Sequence, residues 1–130
     1  MRTLLVIFVL IAGTIAHAAV TANDPLPTEV LRCGGNIIAE IGPRLEGDTN
    51  FETGAHVGLK NGGVTVAYQE DPALSAIRNS KVGDHVLVCL VFVPKNCPAG
   101  DNRGKIYTIT NLRTLESWTL PDSQHACGGA

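Results

Sequence analysis

Apolar positions along this chain form one long block near the start and then a series of short runs separated by turn residues. The block, Leu4-Leu5-Val6-Ile7-Phe8-Val9-Leu10-Ile11-Ala12, follows a single positive charge at Arg2 and precedes the small residues Ala16-His17-Ala18. Charged, then apolar, then small is the order of a removable signal peptide, so residues 1–18 are read as one, with cleavage after Ala18 or Ala19. The apolar core is roughly half the ~20 residues a membrane span needs, so no stable membrane anchor is expected after cleavage. Residues 19–31 contain Asn23-Asp24-Pro25-Leu26-Pro27 and no apolar period, which predicts a flexible N-terminal arm. A single β-rich domain is expected over residues 32–130.

Inside that domain the runs have strand character. Asn36–Ile41 is the first, ended by Gly42-Pro43. His56–Lys60 and Val64–Tyr68 flank Asn61-Gly62-Gly63, a turn signal that predicts a hairpin with Val57, Leu59, Val64, Val66 and Tyr68 on one face. Thr65, Ala67 and Gln69 then face the other way. Asp71 before Pro72 supplies a capping acceptor, Leu74 and Ile77 can share a buried face, and Gly83 can stop the element; a helix of two turns is predicted over residues 72–80. Val86–Val93 is eight apolar residues in succession, the mark of a central strand covered on both sides. Ile106–Thr110 and Ser117–Leu120 complete the set. Three strands, one short helix and two or three further strands predict an all-β fold with small α content: a single small β-barrel, OB-like, with the helix between strands 3 and 4.

Charge narrows the partners. The 130 residues carry 10 Lys/Arg and 12 Asp/Glu; losing residues 1–18 removes only Arg2, leaving 112 residues at a formal charge of −3. No basic block is present, which argues against nucleic acid as a partner.

All four cysteines, Cys33, Cys89, Cys97 and Cys127, survive leader removal. In an exported domain of this size they are read as two disulfides. Four cysteines allow three pairings. Cys89–Cys97 and Cys33–Cys127 are favoured: the first would clip the loop leaving the long apolar strand, the second would join the two Cys-Gly-Gly ends. Chain entropy assigns about 2–3 kcal/mol to the short link and about 4.7 to the long one. The rival reading is a zinc site from Cys89, Cys97, Cys127 and His125, but Cys-x7-Cys and His-x-Cys match no common knuckle.

Searches for catalytic chemistry find no Gly-x-Ser-x-Gly elbow, no spare thiol, no phosphate-cradling loop and no zinc-protease helix. Asp84 and His85 are neighbours on a strand, so their side chains point to opposite faces and cannot pair. His56 and His125 are read as solvated. No cofactor is implied, and the chain is read as a non-enzyme. A binding surface is more arguable, because Arg103, Lys105, Tyr107, Arg113 and Trp118 fall in one stretch of loop and strand. Alternation places Lys105, Tyr107 and Ile109 on one face, and aromatic rings beside basic groups can engage sugars or carboxylates.

From Val82 onward, Val82-Gly83-Asp84, Cys97-Pro98, Gly100-Asp101, Arg103-Gly104, Thr110-Asn111-Leu112-Arg113-Thr114 and the close Ser117-Trp118-Thr119-Leu120-Pro121-Asp122-Ser123-Gln124-His125-Ala126-Cys127-Gly128-Gly129-Ala130 resemble small exported bacterial proteins of uncharacterised function. That resemblance implies a secreted or periplasmic bacterial domain and transfers no activity. The sequence therefore predicts a monomeric exported binding domain that addresses a protein or a cell-envelope glycan through the 94–118 region. An inhibitor of a secreted hydrolase such as a lysozyme is the alternative, and an enzyme of unidentified type ranks third. Thiol titration of the denatured mature protein should find no free cysteine; four reactive thiols would remove the staples on which this reading stands.

Overall fold

The computed structural model describes residues 24–129, so the leader and the first part of the arm lie outside the described residues. Six strands and one helix follow in order: β1 (Cys33–Pro43), β2 (Gly54–Leu59), β3 (Val64–Tyr68), α1 (Ala73–Asn79), β4 (His85–Phe92), β5 (Ile106–Asn111) and β6 (Ser117–Pro121). They form one antiparallel sheet in the order β3-β2-β1-β4-β5-β6. The sheet curls into a half-barrel whose concave face holds the core, including Ile38, Val57, Leu59, Val88, Leu90, Ile109, Trp118 and Leu120. The edges β3 and β6 approach each other without pairing, and α1 sits between strands 3 and 4 in sequence as expected, packing on β6 and β2.

Strand β1 is longer than its apolar run because its two halves serve different neighbours. Cys33 to Ile37 pair with β4, and Ile38 to Pro43 pair with β2, with a bulge between Ile38 and Glu40 where one strand hands over to the other. A bulge bends a strand and increases its twist. It therefore sets the curl.

Four expectations change. The disulfides are Cys33–Cys89 and Cys97–Cys127, not Cys89–Cys97 and Cys33–Cys127. Cys33 and Cys89 stand directly opposite each other in the β1–β4 ladder, a proximity that sequence separation hides. The hairpin face of β3 is reversed: Leu59 pairs with Gly63 across a three-residue connection in which Gly62 adopts φ +84°, so Val57 opposes Thr65 and Ala55 opposes Ala67. A one-residue change of register moves every side chain to the other face. Thr65 and Ala67 point inward, while Val64 and Tyr68 are exposed. Strand β4 is central but covered on its concave side only: Val86, Val88 and Leu90 are buried, Val91 and Phe92 exposed. Finally, the arm expected to be flexible is fastened over residues 24–31. Asp24 and Gly35 exchange two hydrogen bonds, Leu31 donates to the Leu90 carbonyl at 2.8 Å, Asn61 donates to the Asp24 carbonyl, and Leu26 packs on the core.

The helix begins and ends on named contacts. Asp71 Oδ1 accepts the Ala73 amide at 2.8 Å, giving the expected first-turn acceptor. At its far end the backbone turns into a polar hub centred on Asp84, a buried residue. Its carboxylate accepts from Arg113 Nε and Nη2 (2.7 and 2.8 Å), from Asn111 Nδ2 (2.8 Å) and from the Lys81 amide (2.8 Å). Asn111 also donates to Ser80 Oγ, and Arg113 to the Asn79 carbonyl. The end of α1, the start of β4 and the turn after β5 are thereby tied at one point. His85 projects outward, so no Asp84–His85 pair forms.

The Arg113 guanidinium first, with Asn111 and the Lys81 amide assisting, holds the Asp84 carboxyl well below the usual carboxylate range. A carboxyl whose pKa falls on folding stabilises the native state above its unfolded value of about 3.9 and loses that contribution as pH drops below it. Asp84→Asn should cost about 2 kcal/mol at neutral pH. It should also flatten the loss of stability below about pH 4, read by urea unfolding across a pH series; an unchanged acid limb would show that the hub does not govern it.

Candidate functional site

The five residues expected to form one binding patch are dispersed. Arg103 is committed to Asp101 through two bonds, Nε to Oδ1 at 2.9 Å and Nη2 to Oδ2 at 2.8 Å. Asp101 also accepts the Gly128 amide at 2.9 Å, so this pair pins the tail beside Cys97–Cys127. Arg113 belongs to the Asp84 hub. Trp118 is 3% exposed and pairs with Ile109 across the β5–β6 ladder, facing the core. Lys105 and Tyr107 do come together, on the concave face as alternation predicts, with Ile109 fully buried beyond them.

They line a recess of about 180 Å³ between the β2–β3 hairpin and the β5–β6 pair. Its apolar wall is Leu26, Leu59 and Val64, and its polar groups are Thr65, Lys105, Tyr107 and Asp122. Leu26 can close one side because position 63 is glycine: a Cβ there would lie 2.7 Å from Leu26 Cδ1. Asp122 Oδ1 accepts the Gly104 amide at 2.7 Å, leaving Oδ2 at 4.0 Å from Lys105 Nζ. Lys105 Nζ donates to the Asn102 carbonyl at 2.9 Å. Tyr107 is 6% exposed, and among the described residues its hydroxyl makes no hydrogen bond. Burial first, and the neighbouring Asp122 charge second, raise its pKa, so the phenol stays protonated and able to donate.

Thr65 is the residue that sequence reasoning missed. It is 1% exposed and its hydroxyl has no partner. A buried hydroxyl without a hydrogen bond costs on the order of 1–3 kcal/mol. The other buried orphan among the described residues is Trp118 Nε1. The signal that could have found Thr65 was the length of the hairpin connection, which decides which β3 residues turn inward.

Chemically, the recess offers the Tyr107 phenol, one cation and one anion of balanced charge, and an apolar wall. That combination suits an uncharged ring bearing hydroxyls. The zinc reading loses its thiolate ligands, since all four cysteines are paired in disulfides. Comparison with protein-family models, curated proteins and solved structures gives no match for this chain.

Thr65→Val replaces the orphan hydroxyl with a methyl group of similar size. It should raise stability by about 1 kcal/mol, measured by chemical unfolding of the unliganded protein. A comparable loss would mean that the hydroxyl has a partner in solution and is not held ready for a ligand.

Proposed function

We propose that the mature chain is an exported, non-enzymatic binding domain that holds one sugar residue of a cell-envelope glycan in the recess between the hairpin and the β5–β6 pair. The observation that carries this reading is Tyr107, whose hydroxyl makes no hydrogen bond to any described residue and which lines a small concavity with Lys105, Asp122 and Thr65. A volume of about 180 Å³ compares with the cavity of about 150 Å³ that accepts benzene, so one six-membered ring is the right scale. Sugar hydroxyls can accept from Lys105 and donate to Asp122 without breaking that pair, whereas a net charge on the ligand would meet one of the two unfavourably.

Export rests on the leader pattern and on two disulfides, which persist in oxidising compartments. Among the described residues no helix is long and apolar enough to cross a membrane. A second reading, inhibition of a secreted hydrolase, draws on the loop from Pro94 to Gly104, which Cys97–Cys127 ties to the tail. It ranks lower because the Arg103 guanidinium in that loop is already spent on Asp101.

Calorimetric titration of the mature protein with neutral monosaccharides and solubilised envelope glycan provides the test. Tyr107→Phe and Lys105→Met should each weaken binding about tenfold, the loss of one hydrogen bond. Arg103→Ala should leave it unchanged. Binding that ignores the first two substitutions, or none to any sugar offered, would refute the assignment.

A further inference from the structure

Cys33 and Cys89 stand opposite each other where β1 begins. Leu90 donates to the Arg32 carbonyl at 3.0 Å and Leu31 to the Leu90 carbonyl at 2.8 Å, so backbone bonds flank the cysteines and leave them a non-hydrogen-bonded pair. Antiparallel strands bring the Cα atoms of such a pair to about 4.5 Å, nearer than the roughly 5.5–6 Å a disulfide prefers. Their separation is 4.0 Å, against 5.3 Å for Cys97 and Cys127, which lie outside the strands. The ladder, and not the bridge, therefore sets the distance, and a bridge held off its preferred span is the more easily reduced. Access agrees with this. Val88 and Leu90 are buried against the core, so Cys89 between them points to the outer face, and Cys33 is exposed there.

We propose that Cys33–Cys89 is a thiol–disulfide exchange site whose substrate is a dithiol. One thiolate of the dithiol attacks the exposed Cys33 Sγ, the bond between the two Sγ atoms breaks, and Cys89 leaves as a thiolate that takes up a proton. The second thiolate then attacks the dithiol's own sulphur in the mixed disulfide and releases Cys33, which is protonated in turn. The dithiol ends as a disulfide, and the protein has gained two electrons and two protons. Reduction does not disperse the pair, because Gly34 to Ile37 stay paired with Val88 to His85, and Ile38 stays bonded to Gly83 and Asp84 beyond them. The two thiols are left face to face, ready to run the exchange backwards. Cys97 and Cys127 have no such ladder, and beside them loop and tail are joined by the exposed bond from the Gly128 amide to Asp101. The exchange site is independent of the proposed sugar recess, which lies on the concave face.

Each cysteine falls in its own tryptic peptide, so all can be followed separately. Native mature protein is equilibrated at rising ratios of reduced to oxidised dithiothreitol, blocked with N-ethylmaleimide and mapped by mass spectrometry. Cys33 and Cys89 should be labelled together at a ratio about tenfold below the one that opens Cys97–Cys127, a difference of roughly 30 mV in reduction potential. At that ratio the near-ultraviolet circular dichroism of Trp118, the only tryptophan and a core residue, should be unchanged. Excess oxidised dithiothreitol should then re-form the bridge. In the native state, Cys33 of Cys89→Ser should react with N-ethylmaleimide faster than Cys89 of Cys33→Ser, because the exposed sulphur is the one attacked. If either variant does not fold, the wild-type titration decides alone. Opening of Cys97–Cys127 first, or of both bridges at one ratio, would overturn the proposal. So would loss of the Trp118 signal as Cys33 and Cys89 open, since the bridge would then be a staple of the core and no exchange site. Equal or slower reaction of Cys33 would overturn attack at that sulphur.

Discussion

Everything in this fold depends on β1 pairing with two neighbours at once. Its first half is in register with β4 and its second half with β2, and the handover at Ile38 is locked from outside the ladder. Ile38 donates to the Asp84 carbonyl at 3.0 Å and accepts the Gly83 amide at 2.8 Å, while Ile37 accepts the Lys60 amide at 2.9 Å. Two otherwise separate meanders, β1-β2-β3 and β4-β5-β6, become one curled sheet at that point. A slip of one residue there would turn Ile38 outward and present the opposite face of β1 to the core. Cys33–Cys89 fixes the same register covalently at the other end of the half-strand.

Curling the sheet brings its two edges together, and both concavities are consequences of that meeting. One is walled by the hairpin and the strands near the C-terminal end of the chain, the other by the start of α1 and β6. Polar groups near this architecture fall into two classes. At the Asp84 hub every oxygen is used: four donors converge on one carboxylate, and Asn111 and Ser80 are satisfied in turn. Such a network holds elements together because no buried group is left unpaired. At Thr65 and Trp118 the opposite holds.

Much of the fold was legible in residue order. Asp71-Pro72 with Leu74 and Ile77 gave the helix to within a residue at each end, and the six strands fall where β-branched runs and turn signals placed them. What escaped was whatever depends on parity or on long-range proximity. Asn61-Gly62 fits a two-residue turn, yet Lys60-Asn61-Gly62 forms a three-residue connection, and that single residue decides whether Thr65 or Val64 faces inward. The eight-residue apolar run of β4 suggested cover on both faces, but the sheet has one covered face, and the exposed Val91 and Phe92 lie beyond the reach of the core. Disulfide partners followed ladder register, which no spacing rule encodes. Tyr107 and Lys105 were placed on one face correctly from alternation alone, while Arg103, Arg113 and Trp118 were drawn away by Asp101, Asp84 and the core.

On the proposed reading, ligand binding offsets what the unpaired Thr65 hydroxyl costs. Without a ligand the hydroxyl costs about 1 kcal/mol. A ligand present at a hundred times its dissociation constant stabilises the folded state by about 2.7 kcal/mol, which exceeds that cost. The geometry sets the limit of that reasoning. Leu26, which forms part of the first recess, comes from the segment just ahead of β1, and Asp122 comes from beyond β6. Residues that far apart in sequence converge only after β1 has joined both halves of the sheet and residues 24–31 have docked. The recess is therefore a property of the completed fold, and any ligand that fills it must stabilise the whole half-barrel and not one hairpin of it.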